Sequence, residues 1–311
     1  MSEHVSPREA LGKALVEAGE NNANVVVLDA DINPATRTCY FMERFPDRFI
    51  QVGVAEQNLM GVAAGFSTLG FIPFATTFAC FASRRACDQV AISIAYPRLN
   101  VKIMGGYPGL FVGKNGATHQ SLEDIAIMRS MANMVVVQPA DARETEAVVH
   151  FACEYKGPMY LRVGRDPVPP VVPPDYTFKL GKSYTVRDGK DVTIVACGAM
   201  VEDSVVAASA LEKKGISARV INMSSIKPID EQALIKAAEE TGRIVTVESH
   251  NIFGGLGSAV AEVISENMPA PVKRMGVRDV FGKSGTNEEM KKKFGLRAVD
   301  IEKQVATFLQ N

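Results

Sequence analysis

Residues 24–31 read NVVVLDAD, a short β-branched run that ends in two carboxylates. This is the pattern of a buried strand in a parallel sheet, fully apolar until its C-terminal end opens into a loop. Before it, SPREALGKALVEAGE (6–20) opens with Ser and Pro and carries apolar residues at helical spacing, which predicts a helix. After it the alternation continues, with helix 56–69, strand 71–74, helix 78–95, strand 101–106, helix 122–131, strand 134–138, helix 141–153 and strand 159–163. Helices alternating with buried strands predict a doubly wound sheet. The stretch RDPVPPVVPPDY (165–176) is too rich in proline for either helix or sheet pairing and reads as a linker. Beyond it the pattern restarts with strand 191–197, helix 200–214, strand 216–222, helix 230–241, strand 243–248, helix 256–267, strand 272–277 and a last helix near 287–309. The expectation is an α/β protein of two doubly wound domains, 1–165 with a parallel sheet and 181–311 with a mostly parallel one, joined by linker 166–180.

Length and charge agree with this division. The 311 residues suit two domains of roughly 150 each. With 34 Lys+Arg against 35 Asp+Glu, no global charge favours nucleic acid or an anionic membrane. No apolar run approaches the roughly 20 residues of a membrane span, and the first residues lack a signal-peptide core. Five scattered cysteines without a CxxC fit reduced thiols, so a cytoplasmic location is expected. Walker A, GxSxG and HExxH patterns are missing, and no two histidines have metal-ligand spacing.

Open α/β sheets bind ligands beyond the carboxyl ends of their strands, which directs attention to loops 29–37, 52–58, 74–84, 104–121 and 248–258. In FIQVGVAEQNLMGVAAGF (49–66), Glu56 interrupts an apolar stretch at a helix start. It is either a carboxylate favoured by the helix dipole or a partly buried group able to share a proton with a ligand nitrogen. Phe78 and Phe81, three apart, are either core residues or a wall for a flat heterocycle. The loop GGYPGLFVGKNGATHQSLED (105–124) has five glycines and a proline in its first twelve residues and leads to His119. Such a loop is shaped around something. SHNIFGGLGSAVAEV (249–263) is half of a GxGxxG fingerprint and is better explained by tight helix packing.

Taken together, VLDADINPATRT (27–38), GVAEQNLMGVAAG (53–65), PFATTFACFAS (73–83), GLFVGKNGATHQSLEDIAIMRSMANMVVVQPAD (109–141) and YLRVGR (160–165) resemble the pyrimidine-binding domain of transketolases. VTIVACGAM (192–200), VINMSSIKPID (220–230) and SHNIFGGLGSAV (249–260) resemble the transketolase C-terminal domain. The resemblance runs through nearly the whole chain in order. It implies thiamine diphosphate as cofactor and transfer of a two-carbon ketol unit between sugars. The family's diphosphate-binding domain, with its GDG signature, has no counterpart here. The resemblance therefore implies a split enzyme in which an N-terminal partner subunit holds Mg²⁺ and the diphosphate, arranged as an α₂β₂ heterotetramer.

Position by position, the resemblance makes Glu56 the carboxylate that hydrogen-bonds the aminopyrimidine. It makes Phe81 the aromatic stacked on that ring, with Phe78 beside it, and places Asp31 in the cofactor-side loop. His119 becomes a proton relay near the substrate carbonyl and hydroxyls, and Arg8 and Arg162 become ligands of the substrate phosphate. Three positions depart from the family: Asn115 replaces a carboxylate that reads the donor hydroxyl, Ala35 a phosphate-site serine and Tyr107 a phosphate-site histidine. The substrate tail is thus expected to be a phosphate or a sulfonate. Other readings are the β subunit of a 2-oxo acid dehydrogenase decarboxylase component, a fragment related to deoxyxylulose-phosphate synthase, and a non-catalytic regulatory subunit.

Overall fold

The computed structural model describes residues 4–310, so residues 1–3 and 311 of the two expected domains lie outside the described residues. The first half runs α1 (Pro7–Asn21), β1 (Val25–Asp29), α2 (Asn33–Thr36), α3 (Cys39–Arg44), β2 (Phe49–Gln51), α4 (Glu56–Thr68), β3 (Ile72–Phe78), β4 (Lys102–Gly106), α5 (Asp124–Ser130), β5 (Val135–Val137), α6 (Ala142–Glu154) and β6 (Met159–Val163). The second runs β7 (Tyr184–Arg187), β8 (Val192–Ala196), α7 (Met200–Glu212), β9 (Ala218–Asn222), β10 (Ser225–Lys227), α8 (Glu231–Thr241), β11 (Ile244–Asn251), α9 (Leu256–Asn267), β12 (Val272–Val277), α10 (Asn287–Phe294) and α11 (Ala298–Gln310). Ser6 caps α1, its hydroxyl accepting from Glu9 N, with Pro7 in the first turn.

Two α/β sheets result, ordered β10-β5-β6-β4-β3-β1-β2 and β12-β11-β8-β9-β7. Strand β1 sits between β2 and β3, parallel to both, and all five of its residues are buried. That is why its sequence is unbroken Val and Leu up to Asp29. The first sheet is not purely parallel, contrary to expectation. Strand β10, from the second half of the chain, adds to its edge antiparallel to β5. One buried apolar cluster accordingly runs through both halves, joining Val26, Leu59 and Ile103 to Val195, Ile221 and Leu234.

Three further expectations change. Strand β3 extends to Phe78, so Phe78 ends a strand and does not begin a helix. The helix expected over 78–95 is instead two π-helical segments, Phe81–Arg85 and Gln89–Ala95, where for instance Ala86 N donates to Phe81 O, five residues back. The last helix is broken at Gly295, whose φ of +67° closes α10 before α11 begins. The proline-rich stretch is also pinned to the first domain. The Asp141 side chain accepts from the backbone N–H groups of Val171 and Val172, and Val172 is buried. No helix among the described residues is long and apolar enough to cross a membrane.

Candidate active site

Because β6, β4, β3 and β1 are parallel neighbours, their carboxyl ends lie side by side. Phe78, the last residue of β3, and Arg165, Tyr107 and Asp31, just beyond the other three strands, therefore share one edge of the sheet. Tyr107 and Asp31 are held at φ of +56° and +62°. For residues with a Cβ this left-handed region costs about 1–3 kcal/mol, and such strain concentrates at functional sites.

At this edge Phe78 is the hub. Its ring lies 5.1 Å from Tyr107, 5.8 Å from His119 and 6.2 Å from Phe81, while Phe81 and His119 are 5.3 Å apart. The strand end and the first π segment thus bring Phe78 and Phe81 together as a wall. The glycine-rich loop lays the half-buried His119 against that wall with its Nδ1 paired to Thr118 Oγ1 at 3.0 Å.

Two guanidinium groups converge on Tyr107, that of Arg165 at 5.3 Å from the ring and that of Arg8 at 5.8 Å. Arg8 Nη1 donates to Tyr107 Oη at 2.6 Å and to Ala35 O at 3.1 Å. Both of these acceptors are neutral. Among the described residues Arg8 forms no ion pair, and Arg165 meets only Asp166 at 3.7 Å. Positive charge exceeds negative here, as an anion site requires. The position where the family serine falls thus contributes only its carbonyl, to the Arg8–Tyr107 pair.

Glu56 is the first residue of α4 and is only 2% exposed. Its Oε2 accepts from Arg85 Nη1 at 2.8 Å, and Arg85 in turn lies 4.4 Å over the Phe81 ring. Oε1 accepts no hydrogen bond from any described residue. Arg85 therefore ties the carboxylate to the aromatic wall.

Arg162 does not belong to this site. It lies inside β6 with 0% exposure and spends its donors internally, on both Asp124 oxygens (2.7 and 2.9 Å), Gln138 Oε1 (2.6 Å), Ser121 O and Ser249 O. Every bond it makes is to a buried partner within the protein and none of its surface is open to a substrate phosphate, so the expected role fails on burial. Arg165, three residues on and just past the strand end, holds the place expected for Arg162. Asn115 lies in an exposed turn, Gly113–Asn115, with no described contact to the cluster. Asp31 is exposed beside Gln51, whose side chain accepts from its N–H.

Sequence reasoning missed Arg84, Arg85 and Arg165. Arg84 donates to Thr118 O (3.2 Å) and Gln120 O (3.4 Å), bracketing His119 from behind. The signal was present: an arginine doublet in an otherwise apolar segment, and a second arginine just beyond a strand.

Residues 3–170 match the transketolase pyrimidine binding domain and residues 181–301 the transketolase C-terminal domain. A 6-deoxy-6-sulfo-D-fructose transketolase subunit from Clostridium sp. (strain MSTE9) is 44% identical over 294 residues, covering 94% of this chain and 91% of that protein. A putative transketolase C-terminal section from Methanocaldococcus jannaschii is 45% identical over 301 residues, 96% of this chain and 94% of its own. The solved structure of a split-gene transketolase, an inactive β4 tetramer, superposes with a TM-score of 0.92 at 51% identity over 98% of this chain and 99% of that one.

Proposed function

Because the chain belongs to the transketolase family, we propose that it is the C-terminal subunit of a two-chain, thiamine diphosphate-dependent transketolase. The complex moves a two-carbon ketol unit from a ketose phosphate or sulfonate to an aldose phosphate. In this reading residues 1–165 bind the cofactor pyrimidine, 166–180 link and 181–311 form the C-terminal domain. The enzyme is cytoplasmic. The β subunit of a 2-oxo acid dehydrogenase is not favoured, since the similar proteins and the superposed structure are named as transketolases.

The observation that carries the reading is Glu56, a buried carboxylate with one unengaged oxygen, tied through Arg85 to an aromatic wall. That combination fits an aminopyrimidine. Glu56 would share a proton with the ring nitrogen while the faces of Phe81 and Phe78 exclude water. Once bound, the cofactor supplies carbanion-stabilising chemistry that no side chain offers. His119 stands against the same wall, where it can pass a proton to a substrate oxygen. Arg8, Arg165 and Tyr107 would hold the anionic tail of the substrate.

Mg²⁺ and the diphosphate belong to the N-terminal partner subunit, in an α₂β₂ assembly. Support comes from the surface beside Glu56. Helix α4 turns Gly61 and Gly65 outward, and Val54, Leu69, Ile92 and Tyr96 are exposed around it, Tyr96 at 81%. Large apolar groups clustered in the open mark an interaction site.

The test is ketol transfer from fructose 6-phosphate, xylulose 5-phosphate and 6-sulfofructose by the assembled complex. Glu56→Gln keeps size and a hydrogen bond but cannot share the proton, so kcat should fall by about 10²–10⁴. Transfer by this chain with cofactor and Mg²⁺ but no second polypeptide would overturn the split-enzyme reading. Undiminished turnover in the Glu56→Gln complex would reduce Glu56 to a helix-end carboxylate.

A further inference from the structure

We infer that the second domain positions His119: the C-terminal end of β11 grips the loop that carries it on both sides, with Ser249 as a positioning residue. The catalytic consequence rests on the transketolase reading, whereas the grip itself is a matter of geometry.

The loop closes on itself at its base, where Gly109 N donates to Ser121 O at 3.0 Å and Ser121 N to Gly109 O at 3.2 Å. From the second domain, Ser249 Oγ accepts from Leu110 N at 3.0 Å on the entering strand of the loop. On the leaving strand, Asn251 N donates to Leu122 O at 2.7 Å, and His250 Nε2 accepts from Ala126 N at 3.5 Å in the first turn of α5. Arg162 completes the joint, one Nη2 bridging Ser121 O at 3.1 Å and Ser249 O at 3.2 Å. A third hold falls next to His119: Gln120 Nε2 donates to Leu110 O at 3.1 Å and to Lys283 O at 3.0 Å, the latter from the second domain. Gly109, at φ +69°, lies so close to Ser249 that a Cβ there would run into its backbone.

A glycine-rich loop pays a large entropy cost to hold one shape. These contacts, centred on the buried Leu110, Gln120, Ser121, Arg162 and Ser249, select the shape that lays His119 on Phe78 and Phe81. A displacement of about 1 Å at a reacting group can cost about 10²-fold in rate. The second domain, which among the described residues places no side chain on the aromatic wall, thus acts through the loop base.

Ser249 is the point to probe because its side chain accepts one bond and borders a cavity of about 270 Å³ between the domains. Ser249→Ala removes the acceptor of Leu110 N without adding bulk. Ser249→Thr keeps the hydroxyl and adds only a methyl group. In the complex assembled with the N-terminal subunit, Ser249→Ala should lower kcat about tenfold with donor KM within about twofold, the pattern of an interaction felt in the transition state. Ser249→Thr should restore kcat. Amide exchange should accelerate at Leu110 and across 109–124 in the Ala variant while the β1–β4 amides stay protected. Unchanged kcat and loop protection would overturn the inference, as would a loss accompanied by faster exchange throughout both sheets and not rescued by Thr. A wild-type complex without ketol transfer would sink the transketolase reading instead, and loop exchange alone would then decide the grip.

Discussion

The molecule contains two arginine–tyrosine constellations only one strand apart, and they have opposite characters. In the first, Arg162 meets a carboxylate, Asp124, which also accepts from Tyr160 Oη at 2.6 Å, and all three residues are fully buried. In the second, Arg8 meets Tyr107 Oη and a backbone carbonyl at the carboxyl edge of the sheet, with Arg165 on the other side and no carboxylate bonded to Arg8. The first set is electrically closed. It joins β6, α5 and β11 and leaves nothing for a ligand. The second set has surplus positive charge and strained backbone, and it borders the aromatic wall. Residue type does not decide which arginine binds substrate; the presence or absence of an internal counter-charge does.

The sharpest way to break this contrast is to remove one member of the closed set. Arg162→Met leaves Asp124 charged and buried without its partner, an effect typically worth about 3–5 kcal/mol. Chemical denaturation of the variant should show a loss of that size. Adding Asp124→Leu to the same chain should recover much of it, because an apolar pair needs no counter-charge. A single variant as stable as wild type would mean that Arg162 is not the internal partner described here.

The open set should behave in reverse. Arg8→Ala or Arg165→Ala removes a charged donor worth about 1.5–3 kcal/mol toward an anionic acceptor, or roughly 10- to 100-fold in binding. Donor KM should rise by that factor in the assembled complex while kcat and the denaturation midpoint change little, as loss of uniform binding predicts. A donor with a neutral tail used as well as fructose 6-phosphate or 6-sulfofructose would refute the anion site.

How much of this could be read from the sequence follows from the range of the interactions. Strand β1 was legible because its burial depends on its own run of Val and Leu, and α1 because Ser6 and Pro7 announce its start. At the site, the glycine-rich loop after β4 and the Phe78–Phe81 pair stood out locally, although Phe78 was expected at a helix start and Arg165, just past a strand end, was passed over. The role first expected of Arg162 fell to Arg165, although strand 159–163 already placed Arg162 inside the sheet. What was not legible depends on partners far along the chain. Strand β10 is three residues long and pairs with a strand of the other half. The bond from Leu110 N to Ser249 spans 139 positions, and no local pattern encodes it.

The smallest effect tests whether the closed region is compensated throughout. Glu248 and His250 flank Ser249 on β11, and both are buried. Burial pushes the Glu248 carboxyl up to about 7, even though it accepts from Leu256 N and Gly257 N at the start of α9. Burial, with help from the Arg162 charge, pushes the His250 imidazole down to about 4. Between pH 4.5 and 6.5 the folded chain therefore holds a proton on Glu248 that the unfolded chain releases. Over the same window it refuses one on His250 that the unfolded chain takes up. The two differences in bound protons cancel, so the pair contributes no slope to stability there. His250→Gln should expose the glutamate alone, and stability should then fall as pH rises from 4.5 toward 7. Glu248→Gln should expose the histidine alone, and stability should rise with pH from 4 to 6.5. Each slope is bounded by about 1.4 kcal/mol per pH unit for one proton. Denaturation midpoints of the two variants across pH 4.5–6.5 should diverge in opposite directions from a flatter wild type. Parallel profiles for all three would show that the closed side of the comparison holds no such pair.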